Sequence, residues 1–219
     1  MVYKQNIKNG FTLAEVLITL VIIGVIAAMT IPTLINKTNK QEYVSRLKKA
    51  YSTLAQATNR IIAEEGNPRA DIGGWATSPE AVYNMYKKYL NKAKECGAST
   101  NRGCFSGNYK RMDNVVTSYE GASTRYGFIL ADGTEILVRE ENRSDCSYWG
   151  TGSRNVCQYF NVDINGAKGP NALGIDAFAF VLKENGFFPA GCDYDDCNNS
   201  SMGWGCTCKA LREGAINYL

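Results

Sequence analysis

The 219-residue sequence contains no histidine. Histidine is the commonest general base in enzymes and a frequent metal ligand, so its absence removes most residue patterns typical of hydrolases and transition-metal sites. The sequence also lacks the G-x-S-x-G motif that places a catalytic serine on a sharp strand-to-helix turn. We therefore expect a protein that is not an enzyme.

An excess of charge of one sign is missing as well. The chain has 24 basic and 21 acidic residues, and two of the basic ones, Lys4 and Lys8, lie in a short polar segment at the start. A nucleic-acid-binding surface needs clustered Lys and Arg. The near-neutral balance therefore argues against a nucleic-acid partner. A content of 45% apolar and 21% charged residues is typical of a folded globular protein.

A long apolar run follows this polar start. Residues 11–35 contain one charge, Glu15, and as a helix they would rise roughly 37 Å, which is enough to cross a bilayer. A cleavable secretory signal, with Ala27 and Ala28 near the cut, is one interpretation, and a plain membrane anchor is another. Neither explains Glu15, because an acid inside hydrocarbon costs on the order of 2–3 kcal/mol.

A third interpretation explains the acid. The residues Gly10-Phe11-Thr12-Leu13-Ala14-Glu15, with the apolar run behind them, closely resemble the processing site of type IV prepilins and type II secretion pseudopilins. In that family a membrane-embedded aspartic peptidase cuts after the glycine and methylates the new amino terminus. The resemblance implies a leader of residues 1–10, a cut between Gly10 and Phe11, and methylation of Phe11.

Two further residues of the run have roles in assembly by this resemblance. Glu15 lies one helical turn after Phe11, on the same face, and the family pairs such an acid with its own or a neighbouring subunit's amino terminus. A buried polar pair of this kind fixes the axial register of apolar helices. The alternative leaves Glu15 at the helix end, facing lipid headgroups. Pro32 stands where family members often carry a kink-forming proline, and it removes one helix hydrogen bond.

The second half of the predicted helix is amphipathic. Val44, Leu47, Tyr51, Leu54, Thr58 and Ile61 recur at helical spacing, which predicts one buried stripe. The glycine and proline of residues 64–68 are typical of a helix end. The predicted organisation is a leader (1–10), the transmembrane or assembly half of the helix (11–35), its amphipathic half (36–65) and an exported globular domain (66–219).

The sequence of the globular part predicts one more helix and several strands. Ser78 and Pro79 are typical of a helix start, and the apolar pattern extends this helix to about Lys94. Strands at 126–130 and 135–138 flank Asp132-Gly133, those at 178–182 and 187–188 flank Asn185-Gly186, and residues 156–164 form another. The fold class is then α+β: a long N-terminal helix packed on a small antiparallel sheet with disulfide-stapled loops. The pilin family has this architecture.

All the cysteines lie beyond the apolar run. Their even number predicts disulfides formed in an oxidising compartment, and Cys96 with Cys104 is the one local pair that we propose. A four-thiolate zinc site in the last four cysteines is the alternative, although their spacing fits no familiar zinc motif. The eight candidates are Cys96, Cys104, Cys146, Cys157, Cys192, Cys197, Cys206 and Cys208.

One loop contains a pattern of oxygen-bearing side chains. Asp163 and Asn165 precede Gly166, with Asp176 behind them, which resembles the start of a calcium loop. Related loops occur in pseudopilins, and some bind calcium. No acid stands at the closing position of an EF-hand, and Lys168 adds a cation. A run of Asx and Asn-Gly turns needs no metal, and we favour that interpretation over calcium.

The resemblance implies a structural subunit without catalysis. Such a subunit is processed by the prepilin peptidase/methyltransferase and polymerised from an inner-membrane assembly platform with copies of itself and other pilin-like subunits. It crosses the inner membrane once, and its globular domain is exported to the periplasm or the cell surface. The alternative is a low-copy minor or tip protein that binds a cargo or ligand. The sequence leaves open whether the filament is a pilus or a secretion pseudopilus.

Overall fold

The computed structural model describes residues 10–98, 103–105, 107–118, 125–198 and 200–218. Residues 1–9 of the predicted leader therefore lie outside the described residues. Contacts divide the chain into two compact units, Met1–Asn39 and Lys40–Leu219. The first unit contains the apolar run, and the second contains the predicted globular domain.

Three α-helices and ten strands are present in the described residues. Six strands form one antiparallel sheet, which confirms the predicted α+β class. The elements are α1 (Leu13–Glu65), α2 (Pro79–Tyr89), β1 (Lys92–Ala98), β2 (Asn108–Lys110), β3 (Val116–Ser118), β4 (Tyr126–Leu130), β5 (Glu135–Asn142), β6 (Tyr148–Gly150), β7 (Ser153–Val156), β8 (Gln158–Asp163), β9 (Ala177–Lys183), β10 (Gly186–Pro189) and α3 (Cys206–Glu213). The sheet order is β1-β4-β5-β8-β9-β10, and the pairs β2-β3 and β6-β7 stand apart from it.

In the first unit, α1 presents a continuous apolar surface. Leu13–Pro32 is the one segment of the described chain long and apolar enough to cross a membrane, and 0% of it is buried. The exposure of its large apolar side chains ranges from 42% at Val16 to 79% at Leu13. Pro32 lies inside the helix. A surface of this size and composition is stable when lipid or another protein covers it.

In the second unit, α1 is amphipathic. Its buried residues recur mostly at spacings of three and four, which confirms the predicted stripe. The helix ends at Glu65, as predicted, because Gly66 takes a left-handed φ of +86° and a proline follows two residues later. The buried residues are Val44, Leu47, Ala50, Leu54, Ala57, Thr58 and Ile61.

The second helix begins where the sequence predicts and ends earlier. The Ser78 hydroxyl accepts a hydrogen bond from the Ala81 backbone N–H (3.1 Å), which caps α2. The predicted end near Lys94 is wrong, because Leu90 is already extended (φ −107°, ψ 139°). The next residues form β1 and pair with β4. Hydrogen bonding to a distant strand therefore overrides the local helical pattern.

The two predicted hairpins are present, and one turn is corrected. β4 and β5 are joined around Asp132-Gly133, as predicted. In the other hairpin Lys183 pairs with Gly186, so the turn residues are Glu184 and Asn185 rather than Asn185 and Gly186. The glycine, at φ +146°, is thus the first residue of β10.

The single strand predicted at 156–164 is wrong. The structure divides this stretch into β7 and β8, with Cys157 between them. β7 pairs with β6, whereas β8 lies between β5 and β9 in the main sheet. The strand pairing therefore changes at Cys157. The alternation of polar and apolar residues along the sequence does not predict such a change.

Both faces of the main sheet are covered. On one face, Phe160 and Phe180 pack in a core with the second half of α1 and with α2. On the other, Tyr159 packs in a separate core that includes Tyr109 and Trp204. Successive residues of β8 therefore enter different cores, because side chains alternate across a strand.

The eight cysteines form four disulfides. The predicted pair, Cys96 with Cys104, is present. The zinc alternative is wrong, because the four cysteines proposed for it are bonded to one another in pairs. The other three bonds are Cys146–Cys157, Cys192–Cys208 and Cys197–Cys206.

Candidate functional site

The predicted processing site lies immediately before α1. Gly10, Phe11 and Thr12 have no regular secondary structure, and all three are exposed. A Cβ atom placed on Gly10 would meet nothing within 4 Å. The peptide bond between Gly10 and Phe11 is therefore accessible. The backbone on either side of it is irregular, as a peptidase that binds its substrate in an extended conformation requires.

Glu15 and Thr12 form a reciprocal cap at the start of α1. The Thr12 hydroxyl accepts from the Glu15 backbone N–H (3.2 Å), and Glu15 Oε2 accepts from the Thr12 backbone N–H (2.9 Å) and hydroxyl (2.7 Å). This is a capping box, which satisfies two donors that a helix start leaves unpaired. The spacing Thr-x-x-Glu is visible in the sequence, but the sequence prediction did not give Thr12 this role.

The Glu15 carboxylate also borders an apolar hollow. An open cavity of about 420 Å³ is lined by Phe11, Glu15, Val16 and Thr19. Thr19 donates its hydroxyl to the backbone carbonyl of Glu15 (2.9 Å), so it does not compete for the carboxylate. Glu15 and Phe11 therefore line the same hollow, on a helix whose neighbouring surface is apolar.

Two family models match the chain. Residues 5–31 match the prokaryotic N-terminal methylation motif. Residues 33–206 match a family of unknown function (DUF6613), which is more than half of the chain. The chain belongs to the DUF6613 family. Together with its methylation motif, this identifies a DUF6613 member that is type IV pilin-like. No curated protein and no solved structure matches it.

In this DUF6613 protein, the loop predicted as a calcium site contains fully buried aspartates. Asp163 Oδ1 accepts from the backbone N–H groups of Asn165 (3.0 Å) and Gly166 (2.8 Å), and its Oδ2 accepts from the Tyr109 hydroxyl (2.8 Å). These bonds form the Asx turn that the sequence predicts. They also attach the loop to β2, which carries Tyr109.

Asp176 closes the other end of the loop. Its Oδ1 accepts from the Ala172 N–H (2.7 Å) and its Oδ2 from the Asn171 N–H (2.9 Å). The Asn165 amide group lies against Asp176, so the structure brings the three predicted ligands together. N–H and O–H donors already point at all four carboxylate oxygens of Asp163 and Asp176, and these hydrogen bonds hold both ends of the loop.

Among the described residues, no group of three Asp, Glu, Cys or His side chains is arranged to hold a metal ion. Two of the three predicted ligands are carboxylates, and Asn165 would have to supply an amide oxygen as the third. Calcium binding at Asp163, Asn165 and Asp176 stays a prediction.

Burial changes the protonation of these acids. Burial and the nearby charge of Asp176 raise the pKa of Asp163 to about 8. Burial also raises the pKa of Asp176 and of Glu135, whose Oε2 accepts from the Phe105 N–H. The pKa of Tyr109 is raised by burial and by the adjacent Asp163. We therefore expect the anchoring of this loop to depend on pH.

Proposed function

We propose that the protein is a structural filament subunit, a pilin or pseudopilin of a type IV pilus or a type II secretion filament. The prepilin peptidase cuts it between Gly10 and Phe11 and methylates Phe11, and it polymerises through the apolar part of α1. The observation that carries this proposal is the exposed apolar segment Leu13–Pro32, which has a single acid, Glu15, in its first turn.

Cleavage changes what surrounds Glu15. In the uncut chain the nitrogen of Phe11 belongs to a peptide bond, and Glu15 accepts from the Thr12 N–H and hydroxyl. Cleavage turns the Phe11 nitrogen into an amine, and N-methylation leaves its positive charge in place. A cation one helical turn from Glu15 offsets the cost of an acid at the membrane edge. The same cation on a neighbouring subunit can pair with Glu15 and set the axial register.

The apolar surface of α1 supports both a membrane-bound and a filament state. Before assembly, lipid covers the segment, and after assembly the helices of neighbouring subunits cover it. Four disulfides in the second unit support an oxidising location for that unit, in the periplasm or at the cell surface. An inner-membrane assembly platform would move the subunit from one state to the other.

Intact-mass analysis of protein extracted from membranes tests the processing step. We expect the loss of residues 1–10 and the gain of one methyl group. Gly10→Val should leave the full-length chain, because a branched side chain obstructs the narrow backbone cleft that glycine enters. Gly24→Ala is the matched control, since a Cβ at Gly24 also meets nothing within 4 Å, and it should be processed normally. A wild-type chain that retains its leader would contradict the proposal.

A low-copy tip protein that binds a ligand is the second candidate. A solvent-open pocket with aromatic walls in the second unit favours it. Quantitative mass spectrometry of purified filaments separates the two candidates. A major subunit should dominate the filament protein, whereas a tip protein should be present at a few copies per filament.

A further inference from the structure

A pocket lies at one end of the sheet face opposite α2, between the central strands, the β6-β7 hairpin and the loop before α3. We propose that this pocket binds a sugar ring of a carbohydrate. Its volume is about 180 Å³, enough for one such ring. The side chains that line it are Arg139, Tyr148, Thr151, Tyr159, Met202 and Trp204. This binding role is separate from filament assembly and does not depend on it.

The aromatic walls are rigid before any ligand binds. Tyr159 and Trp204 are buried, at 3% and 1% exposure. The Tyr148 ring meets the Tyr159 ring edge to face, with centroids 5.3 Å apart. The Tyr159 hydroxyl donates to the Gly150 carbonyl (2.5 Å), which ties the hairpin to β8. A preformed pocket of this kind loses little conformational entropy on binding.

The hairpin is also clamped to the cysteine-rich loop. The Gly152 carbonyl accepts from the backbone N–H groups of Asp193 (3.0 Å) and Tyr194 (3.3 Å), and the Ser153 hydroxyl accepts from the Gly191 N–H (3.2 Å). Two disulfides, Cys192–Cys208 and Cys197–Cys206, close the loop that continues to Met202 and Trp204. The wall formed by this loop is therefore held covalently.

Thr151 has an unusual backbone conformation at the pocket. Its φ is +46°, in the left-handed region that a β-branched residue rarely adopts. Residues with strained backbones of this kind cluster at functional sites. Here this conformation places the threonine hydroxyl beside the Tyr159 hydroxyl, among the residues that line the pocket.

The lining matches the two surfaces of a sugar ring. One face of a pyranose presents weakly polarised C–H groups, which pack against the electron-rich face of an aromatic ring, and the partly exposed Tyr148 ring offers such a face in this pocket. Its hydroxyl groups accept hydrogen bonds from a guanidinium, which Arg139 supplies.

Charge argues against two other ligand classes. Aromatic cages bind quaternary ammonium groups, but the Arg139 guanidinium in this pocket repels a cation. Nucleic acids need a surface with an excess of positive charge. The loop that adjoins the hairpin instead carries Asp193, Asp195 and Asp196. A neutral or weakly acidic carbohydrate is not repelled by the Arg139 guanidinium and does not need an excess of positive charge around the pocket.

Tryptophan fluorescence of the full chain, held in micelles of a detergent without a sugar headgroup, tests the proposal. The probes are an N-acetylglucosamine hexamer, a glucose hexamer and a galacturonate hexamer, each titrated to millimolar concentration. We expect a saturable change with at least one of them, because Trp204 lines the pocket. A thymidine oligonucleotide and an acidic peptide are titrated in parallel.

Variants locate the binding. Tyr148→Ala and Arg139→Gln should weaken the affinity at least ten-fold. Met202→Trp should do the same by filling the pocket mouth, and this partly exposed position tolerates the change without loss of a wall. Trp149→Ala is the matched control: it removes a neighbouring aromatic ring that is 64% exposed and does not line the pocket, so the affinity should not change.

Three outcomes would overturn the proposal: no saturable change with any of the three hexamers, carbohydrate binding that survives Met202→Trp, or pocket-dependent binding of the oligonucleotide or the peptide in place of the sugars. Circular dichroism melting of each variant establishes that it is folded. Met202→Trp carries the test if Tyr148→Ala does not fold.

Discussion

Helix α1 has two halves that share one secondary structure and differ in burial. From Leu13 to Pro32 no part is buried, whereas in the second unit Leu47, Leu54 and Ile61 are fully buried. The first half is apolar on all sides, and the second is apolar along one stripe. The comparison teaches that the apolar pattern selects the environment of a helix: lipid or other subunits for the first half, its own domain for the second.

The largest expected effect comes from replacing one leucine in each half of α1 with alanine. Leu54→Ala should lower the free energy of unfolding of the second unit by about 2–5 kcal/mol, because it leaves a cavity in the core. Leu20→Ala, at a position that is 60% exposed, should leave that free energy unchanged. Denaturant unfolding of the full chain in micelles measures both. An equal loss in the two variants would contradict the difference between the halves.

A second pair of variants compares one acid in each half. Glu15→Ala should spare cleavage but reduce filament incorporation at least about ten-fold, because the partner of the Phe11 amine is lost. Glu42→Ala is the control. In the described part of the chain, the ion pair of Glu42 is with Arg46 at the exposed helix surface, and such pairs contribute little to stability. Immunoblots of sheared filaments against whole cells measure incorporation. If both variants assemble equally, Glu15 has no special role.

The third prediction concerns pH and the second unit alone. The pKa of Asp163 is raised from an ordinary value of 3.8 to about 8, so the folded state binds more protons than the unfolded state between these values. The free energy of unfolding should therefore fall as the pH rises from about 4 to about 8. Asp176 and Glu135 share this environment and their pKa values are also raised, so they contribute in the same direction, whereas the raised pKa of Tyr109 keeps its hydroxyl protonated throughout this range.

Asp163→Asn keeps an acceptor for the two backbone N–H groups and removes the titration. We expect a smaller dependence of stability on pH in this range, measured by denaturant unfolding in the presence of a chelator. Asp195→Asn, at an exposed position in the cysteine-rich loop, is the control and should keep the wild-type dependence. If the Asp163→Asn variant kept the full wild-type dependence, Asp163 would not be its cause.

The smallest expected effect is that of calcium. Because N–H and O–H donors already meet the carboxylates of Asp163 and Asp176, we expect the melting temperature to be the same with millimolar calcium and with a chelator. A specific ion that binds the folded state raises the melting temperature. A clear rise that Asp176→Asn abolishes would instead support the calcium interpretation.

Local features of the fold were predictable because neighbouring residues determine them. The cap of α2 depends on Ser78, and the end of α1 on Gly66. The β4-β5 turn depends on Asp132-Gly133. The end of α2 was not predictable, because it depends on the pairing of β1 with β4. The break at Cys157 was missed for the same reason, since β7 and β8 pair with different strands.

The candidate sites also differ in whether neighbouring or distant residues form them, and this decided which of them could be predicted. The proposed processing site around Gly10 and Phe11 lies in a contiguous motif, and the Thr12–Glu15 cap spans a single helical turn. The Asp163 cluster needs Tyr109, which lies 54 residues earlier in the chain. The aromatic pocket draws on residues from Arg139 to Trp204, and no local pattern connects them.

By itself the sequence determined the exposed apolar half of α1, the amphipathic half that follows, and the motif at which we propose that the chain is cut. These depend on residue types at short, regular spacing. Only the tertiary structure decided how the six cysteines beyond Cys96 and Cys104 pair, how the buried aspartates are satisfied and where the aromatic pocket forms. The reason is physical: such features require distant segments to meet, and this depends on how the whole sheet and its covering loops pack.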